Sequence, residues 1–291
     1  MTAQFPEKYR QALAGEARPD QEQAQPRYRP RLFDFNQSLG QHQKLWLGLM
    51  GWLAFLGAWY VTANMGLAPD RLFPGPTQVF ASLQELFLEK GFMADVWASV
   101  TRIVVSFVLA VVIALPLGLL MGSFARVDAV LNPLLGAWRY LPAPAFIPLL
   151  LMWLGTGNSQ KIALLLMGVV FFLVIMLADV TRQTPKVLIE TAKTLGGARR
   201  VVLWTVVLRH SLPGYLDTCR QMLAVSWTYL VIAEIVAATD GIGAMMMRAK
   251  RFVHVDDIMA GIITIGVLGL AFDILFRTVY RWSFPYLRSE R

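Results

Sequence analysis

The sequence predicts an all-α integral membrane protein with about six transmembrane helices. Three observations carry that prediction. Of 291 residues, 56% are hydrophobic and only 16% charged, whereas a soluble domain usually carries about a quarter charged residues. The apolar residues fall in runs of about 20, the length a helix needs to cross a ~30 Å hydrocarbon core. Lysine and arginine cluster between and after those runs, the usual arrangement of cytoplasmic loops. Mean hydropathy is +0.51.

Residues 1–44 are polar, with seven Lys/Arg against five Asp/Glu. They read as an N-terminal tail with no cleavable signal peptide and at most a short amphipathic piece near Leu32–Phe35. The membrane domain is expected over 45–287, leaving a tail at 288–291. The first span is read at 45–63, the second at 103–121 and the third at 130–154. Pro142 and Pro144 should break the third span into two half-helices. The fourth span is read at 162–180, the fifth at 216–238 and the sixth at 258–280. Between the first two, Pro76 and Thr77 should start an amphipathic helix with Val79, Phe80, Leu83, Leu86 and Phe87 on one face.

Orientation follows from the loops. The segment 181–215 carries six Lys/Arg and one Glu, and the segment 64–98 carries two Lys/Arg and four Asp/Glu. The first belongs in the cytoplasm and the second outside, so both termini are expected in the cytoplasm. The loop 239–257 goes against this trend with Arg248, Lys250 and Arg251, offset by Asp240, Asp256 and Asp257. The net charge of +8 belongs to this pattern rather than to nucleic-acid binding, which is not expected. The single cysteine, Cys219, cannot form an internal disulfide, and no Cys/His cluster points to a metal.

The loop 181–215 is the informative segment. Leu188, Ile189, Ala192 and Leu195 share one helical face. Gly196 and Gly197 should end that helix, because glycine accepts the positive φ needed there. A second amphipathic stretch follows, and Pro213-Gly214 is expected to turn the chain toward the fifth span.

This loop resembles the Glu-Ala-Ala loop of ATP-binding-cassette importer permeases. Glu190, Ala192 and Gly196 are in register, and Val206 and Leu208 stand at the later Ile and Leu positions. Thr191 and Arg209 depart from the usual Ala and Pro. Further stretches are similar to the branch serving nitrate, bicarbonate, taurine and alkanesulfonates. They are Thr101-Arg102, Arg139-Tyr-Leu-Pro142, Trp153-Leu-Gly155, Trp227 to Glu234 with Gly241-Ile-Gly243, and Asp273 with Phe284-Pro285. The resemblance covers roughly residues 70–287.

The resemblance implies a type I importer permease fold with a cytoplasmic coupling helix, in a bacterial plasma membrane. It implies a homodimer, two ATP-binding-cassette ATPase subunits and an external substrate-binding protein. Glu190, Thr191, Ala192, Leu195, Gly196 and Gly197 would couple the spans to the ATPase. The sequence contains no Gly-x-x-x-x-Gly-Lys-Ser/Thr, so no P-loop is expected here. ATP and Mg would be bound by the partner, and no cofactor is expected in this chain. The cargo implied is a small anion of the taurine/sulfonate, nitrate or bicarbonate class.

Pathway candidates are Arg139, Ser226, Trp227, Tyr229 and Glu234. Ionisable residues inside spans are costly and often functional. Glu234 reads either as a polar anchor beside the pathway or as a structural hydrogen-bonded glutamate. Arg139 reads either as an anion attractor or as a residue packed on loop carbonyls. Arg102 and Asp179 read as interfacial, and Asp273 can pair with Arg277 at i+4. A secondary transporter or channel without an ATPase is the alternative function, but only scattered charges support it. An intramembrane enzyme has less support still, because His42, His210 and His254 all lie outside the spans.

Overall fold

A computed structural model describes residues 40–66, 69 and 71–290. The piece near Leu32–Phe35 and most of the expected N-terminal tail lie outside the described residues. The described residues are helical, with no strand. By internal contact the described residues divide into two units, one ending at Phe55 and the other beginning at Leu56.

Helix α1, Gln41–Asn64, is apolar on every side and long enough to cross a membrane. Helix α2, Pro76–Leu88, starts with proline at its first turn, where a missing N–H costs nothing. The Gly75 amide donates to Oε1 of Gln78 at 3.2 Å, satisfying one of the unpaired groups at that end. Val79 and Leu86 are buried and Leu83 and Phe87 partly so, but Phe80 is exposed. Phe80 therefore does not share the packed face: it lies one residue, about 100°, round from Val79.

Helix α3, Met93–Ser123, and helix α6, Asn158–Arg182, form the central pair of the second unit. Close approach depends on Gly118 and Gly122 of α3. A Cβ at Gly118 would lie 2.7 Å from Leu177 Cβ and 3.0 Å from the Val174 carbonyl. Small residues at such spacing let helix backbones approach in a medium that supplies no hydrophobic drive between them.

The third span is broken, as its prolines require. Helix α4, Ala125–Trp138, is followed by a 3-10 turn, Ala143–Phe146, and helix α5, Ile147–Leu154. The two halves are bent by 79°. Trp138 stacks on Phe171 of α6 with ring centroids 4.7 Å apart, holding the break against the central pair.

After the short helix α7, Lys186–Thr194, come a helical turn at Arg199–Val202 and a π turn at Leu203–Val207. Helix α8, Leu208–Ala237, continues directly from them. Pro213 lies inside α8, so it does not turn the chain toward the fifth span as expected. A proline in mid-helix removes one hydrogen bond, and tertiary contacts with α6 override that loss. Gly214 fits against Val180, and the Tyr215 hydroxyl hydrogen-bonds Thr181 Oγ1.

Helix α9, Ile242–Arg251, and helix α10, Val255–Ser283, complete the chain with a final 3-10 turn at Pro285–Glu290. Among the described residues, five helices are long and apolar enough to cross a membrane, or six if the bent pair is one span. The second and fifth spans are longer than their apolar runs, extending into polar sequence at their ends.

Candidate functional site: the exposed loop helix and the buried arginine junction

Helix α7 is amphipathic and has no buried residue. Its end is built by a pair of backbone bonds. The Gly196 amide donates to the Lys193 carbonyl at 2.9 Å, and the Gly197 amide to the Ala192 carbonyl at 2.9 Å. This is the Schellman arrangement, in which the residue after the cap turns left-handed. Gly196 occupies that position with φ +83°, where an L side chain is strained. Glu190, Thr191 and Leu195 are exposed, and Ala192 and Gly197 are partly covered. The six residues expected to act together thus lie on one short protruding element, and Leu195 is 83% exposed. Among the described residues, nothing buries its apolar face.

A second constellation lies at the opposite ends of α3 and α8. Arg102 of α3 is 2% exposed and Glu234 of α8 is 1% exposed. Arg102 Nη1 donates to Glu234 Oε1 at 2.7 Å and to the Asp240 carbonyl at 2.9 Å. Its Nη2 donates to Asp240 Oδ1 at 2.8 Å and its Nε to Asn158 Oδ1 of α6 at 2.8 Å. Glu234 also accepts from Ser99 Oγ at 2.8 Å and from the Gly243 amide at 2.9 Å. Ser99 Oγ accepts from the Ile242 amide at 2.9 Å, and Asp95 Oδ1 from the Gly241 amide at 2.8 Å.

The junction explains why glycines flank Ile242. A Cβ on Gly243 would lie 2.6 Å from Glu234 Cβ, and one on Gly241 would lie 2.6 Å from Arg102 Nη1. The first amides of α9 are satisfied by acceptors from α3 and α8, and two of these acceptors are carboxylates at a helix N-terminus. Burial disfavours the charged form of Asp240, but its bonds to Arg102 outweigh this and hold its carboxyl below the usual value. The Arg102 guanidinium thereby ties α3, α6, α8 and the start of α9 together.

Residues 114–289 match the family described as the binding-protein-dependent transport system inner membrane component. The chain belongs to this family. The permease is 33% identical over 236 residues to the taurine transport system permease protein TauC of Escherichia coli (strain K12), covering 79% of this chain and 86% of that one. It is 30% identical over 248 residues to the bicarbonate transport system permease protein CmpB of Synechococcus elongatus (strain ATCC 33912 / PCC 7942 / FACHB-805), covering 81% of this chain and 88% of the other. Among solved structures, its fold is similar to a chain from the inward-facing MetNI methionine ABC transporter. The TM-score there is 0.60 at 20% identity, over 65% of this chain and 94% of that one. The permease is therefore a multi-pass inner-membrane component of an importer that depends on a binding protein.

The permease does not bring its five pathway candidates together. Arg139 caps α4 at the break and is exposed. Ser226 is buried and donates to the Met222 carbonyl of its own helix at 3.0 Å. Trp227 is buried beside Phe272 of α10. Tyr229 lies over Gly168 of α6, near Trp138 and Phe171. Glu234 belongs to the arginine junction.

Arg102 lies near the start of α3, as the sequence reading has it, and is the buried centre of the junction. That pairing was not read from the sequence, where the available signal was one basic and one acidic residue near matching ends of two apolar runs. Asp179 is exposed and pairs with Arg182. Asp273 does pair with Arg277, at 2.7 Å, and also with Arg220 at 2.9 Å. Arg220 was not singled out from the sequence.

Proposed function

We propose that this permease is the conduit of an ATP-driven importer for a small oxyanion of the sulfonate, nitrate or bicarbonate class. It works as a homodimer with two ATPase subunits and receives cargo from an external binding protein. The observation that carries the reading is α7, an amphipathic helix displayed on a glycine-ended turn, with Val187, Leu188 and Leu195 uncovered. A protruding apolar face of this kind needs a partner, and an ATPase groove supplies one. Glu190 to Gly197 form the docking element. Movement of the ATPase pair carries α7 and, through the continuous helix that follows, α8 with it. Such a change is driven by differential binding to two states.

The chain has no P-loop, so ATP and Mg are held by the partner and the chain itself performs no hydrolysis. The end bearing α7 and both termini face the cytoplasm. The arginine junction and α9 face outward, where the binding protein docks. The taurine, bicarbonate and sulfonate systems named for its relatives support the choice of cargo.

Leu195→Glu tests the coupling assignment, because the side chain is 83% exposed and its replacement leaves the fold intact. The variant should assemble in the membrane but lose copurification with the ATPase and ATP-driven taurine uptake in proteoliposomes. Wild-type uptake by this variant would remove α7 from the coupling role.

A further inference from the structure

The exposed faces of the spans are of two kinds. On α3 the exposed face carries Val105, Val108 and Val112, and on α10 it carries Val267, Leu270 and Ile274. Large aliphatic side chains of this kind suit contact with lipid tails. The exposed threonines of these two helices keep to that pattern, because each turns its hydroxyl back to the carbonyl four residues earlier. Thr101 donates to the Trp97 carbonyl and Thr278 to the Ile274 carbonyl, both at 2.8 Å.

Helices α4 and α8 differ. Ala129, Asn132 and Gly136 recur at three- and four-residue steps and so share one face of α4. Ala129 and Asn132 are exposed, and a Cβ on Gly136 would meet open space. Gln221, Ala224 and Thr228 share a face of α8 in the same way, and all three are exposed. Each face thus joins polar side chains to small ones. Thr228 stands near the middle of the fifth span, far from either membrane surface. Unlike Thr101 and Thr278, it makes no bond to the carbonyl four residues earlier. Neither its hydroxyl nor the Asn132 amide has a partner among the described residues. Polar groups facing hydrocarbon without a partner are costly, and polar residues within spans turn to the bundle interior or to a water-filled cavity. The two helices meet at one crevice beside Gly168, lined by Trp138 of α4 and Tyr229 of α8. Arg139, exposed and without a partner among the described residues, ends α4 at the break.

We propose that these two faces wall the transport conduit, and that the Asn132 amide and the Thr228 hydroxyl donate hydrogen bonds to the oxygens of the passing anion. That a conduit exists rests on the import reading above, while the choice of its wall rests on the polarity and exposure of these side chains. Neutral donors suit transit. They replace part of the hydration of the anion, yet hold it weakly enough for it to leave. Ala129, Gly136 and Ala224 leave width for it to pass. The Arg139 guanidinium adds the positive charge that favours an anion over a cation at the break. In a homodimer the second copy closes the wall from the other side.

The test uses the full chain with its ATPase partner in lipid nanodiscs, in a Cys219→Ser background. Asn132→Cys, Thr228→Cys and the control Val112→Cys are treated with 2-sulfonatoethyl methanethiosulfonate, a charged reagent that stays in water. Labelling is timed at rest and during ATP hydrolysis. Because the thiolate is the reactive form and does not arise in hydrocarbon, Asn132→Cys and Thr228→Cys should react at least about tenfold faster than Val112→Cys in one of the two conditions. If either reacts as slowly as the control in both, its face meets lipid and the proposal is overturned. If either resists the reagent in both and instead joins two copies through a disulfide under a mild oxidant, its face is a contact between copies, which also overturns the proposal. Contact with the cargo has its own readout. Thr228→Val keeps the shape of the side chain but loses the hydroxyl, so ATP-driven taurine uptake in proteoliposomes should fall about fivefold. Thr228→Ser should keep most of it, and both variants should still copurify with the ATPase. Wild-type uptake by Thr228→Val would remove the hydroxyl from contact with the cargo. Labelling reports on the side chains themselves and the coupling test on uptake by Leu195→Glu, so the two failures are distinguishable.

Discussion

Arg102 and Glu234 form a buried ion pair whose remaining hydrogen-bonding groups are almost fully used. Desolvating two charges is expensive, and only such complete pairing offsets it. Arg102→Leu should therefore destabilise the permease by about 3 kcal/mol or more, because it strands a buried carboxylate. The double variant Arg102→Leu/Glu234→Leu should cost less than the sum of the two single ones. Thermal melting of all four proteins in detergent checks this, and strict additivity would show that the two side chains do not act as a pair. Val253 poses the opposite case. Its φ is +60°, a left-handed conformation that a β-branched residue rarely adopts. The His254 amide bonds the Ala249 carbonyl and the Val253 amide bonds the Lys250 carbonyl, so Val253 stands where Gly196 stands at the end of α7. Val253→Gly should stabilise the protein by about 1 kcal/mol, read as a raised melting temperature, because relief of strain exceeds the added chain entropy.

At the scale of elements, the α3–α6 contact sets the centre of the second unit. Gly118→Val would drive its side chain into Leu177 and the Val174 carbonyl. Overpacking of that kind costs about 1–3 kcal/mol, and the variant should melt earlier and yield less folded protein in detergent. Gly136, which has open space beside it, provides the control, since Gly136→Ala should be nearly neutral. Helix α7 behaves differently from α3. With no buried residue, it owes its shape to the end turn at Gly196 and to its own amphipathic face. The broken third span shows a third pattern. Pro142 and Pro144 end one helix and start another, and Trp138 stacked on Phe171 fixes where the break is held.

For the whole molecule, the charges of two distant loops prove to be mutual partners. Arg248 pairs with Asp95, and Lys90 pairs with Asp257 at 3.1 Å. Burial works to lower the Lys90 ammonium's pKa, but the Asp257 and Glu85 carboxylates outweigh it and raise it above its ordinary value. Of the three basic residues of 239–257, Arg248 is thus neutralised by Asp95 of the segment 64–98, while Asp257 in turn pairs with Lys90. The orientation has a direct test. In a Cys219→Ser background, Leu195→Cys should react with a membrane-impermeant maleimide from the cytoplasmic side alone, and Phe252→Cys from the outside alone. Both positions are largely exposed, so the reverse labelling would invert the topology.

What the sequence determined by itself was local or repetitive. Apolar runs of membrane length, the Pro142–Pro144 break, the Pro76 helix start and the left-handed Gly196 all follow from properties of single residues or short windows. The spacing from Glu190 to Leu208 pointed to the family, and it begins on α7, an element that buries no residue and so owes little to packing. Only the tertiary structure decided matters that depend on residues far apart in the chain. Arg102 and Glu234 are 132 positions apart, and no periodicity links them. Pro213 reads locally as a turn, yet contacts with Val180 and Thr181 carry the helix through it. Backbone preferences and hydropathy act over a few residues, whereas the pairing of buried charges is settled by which helix ends meet.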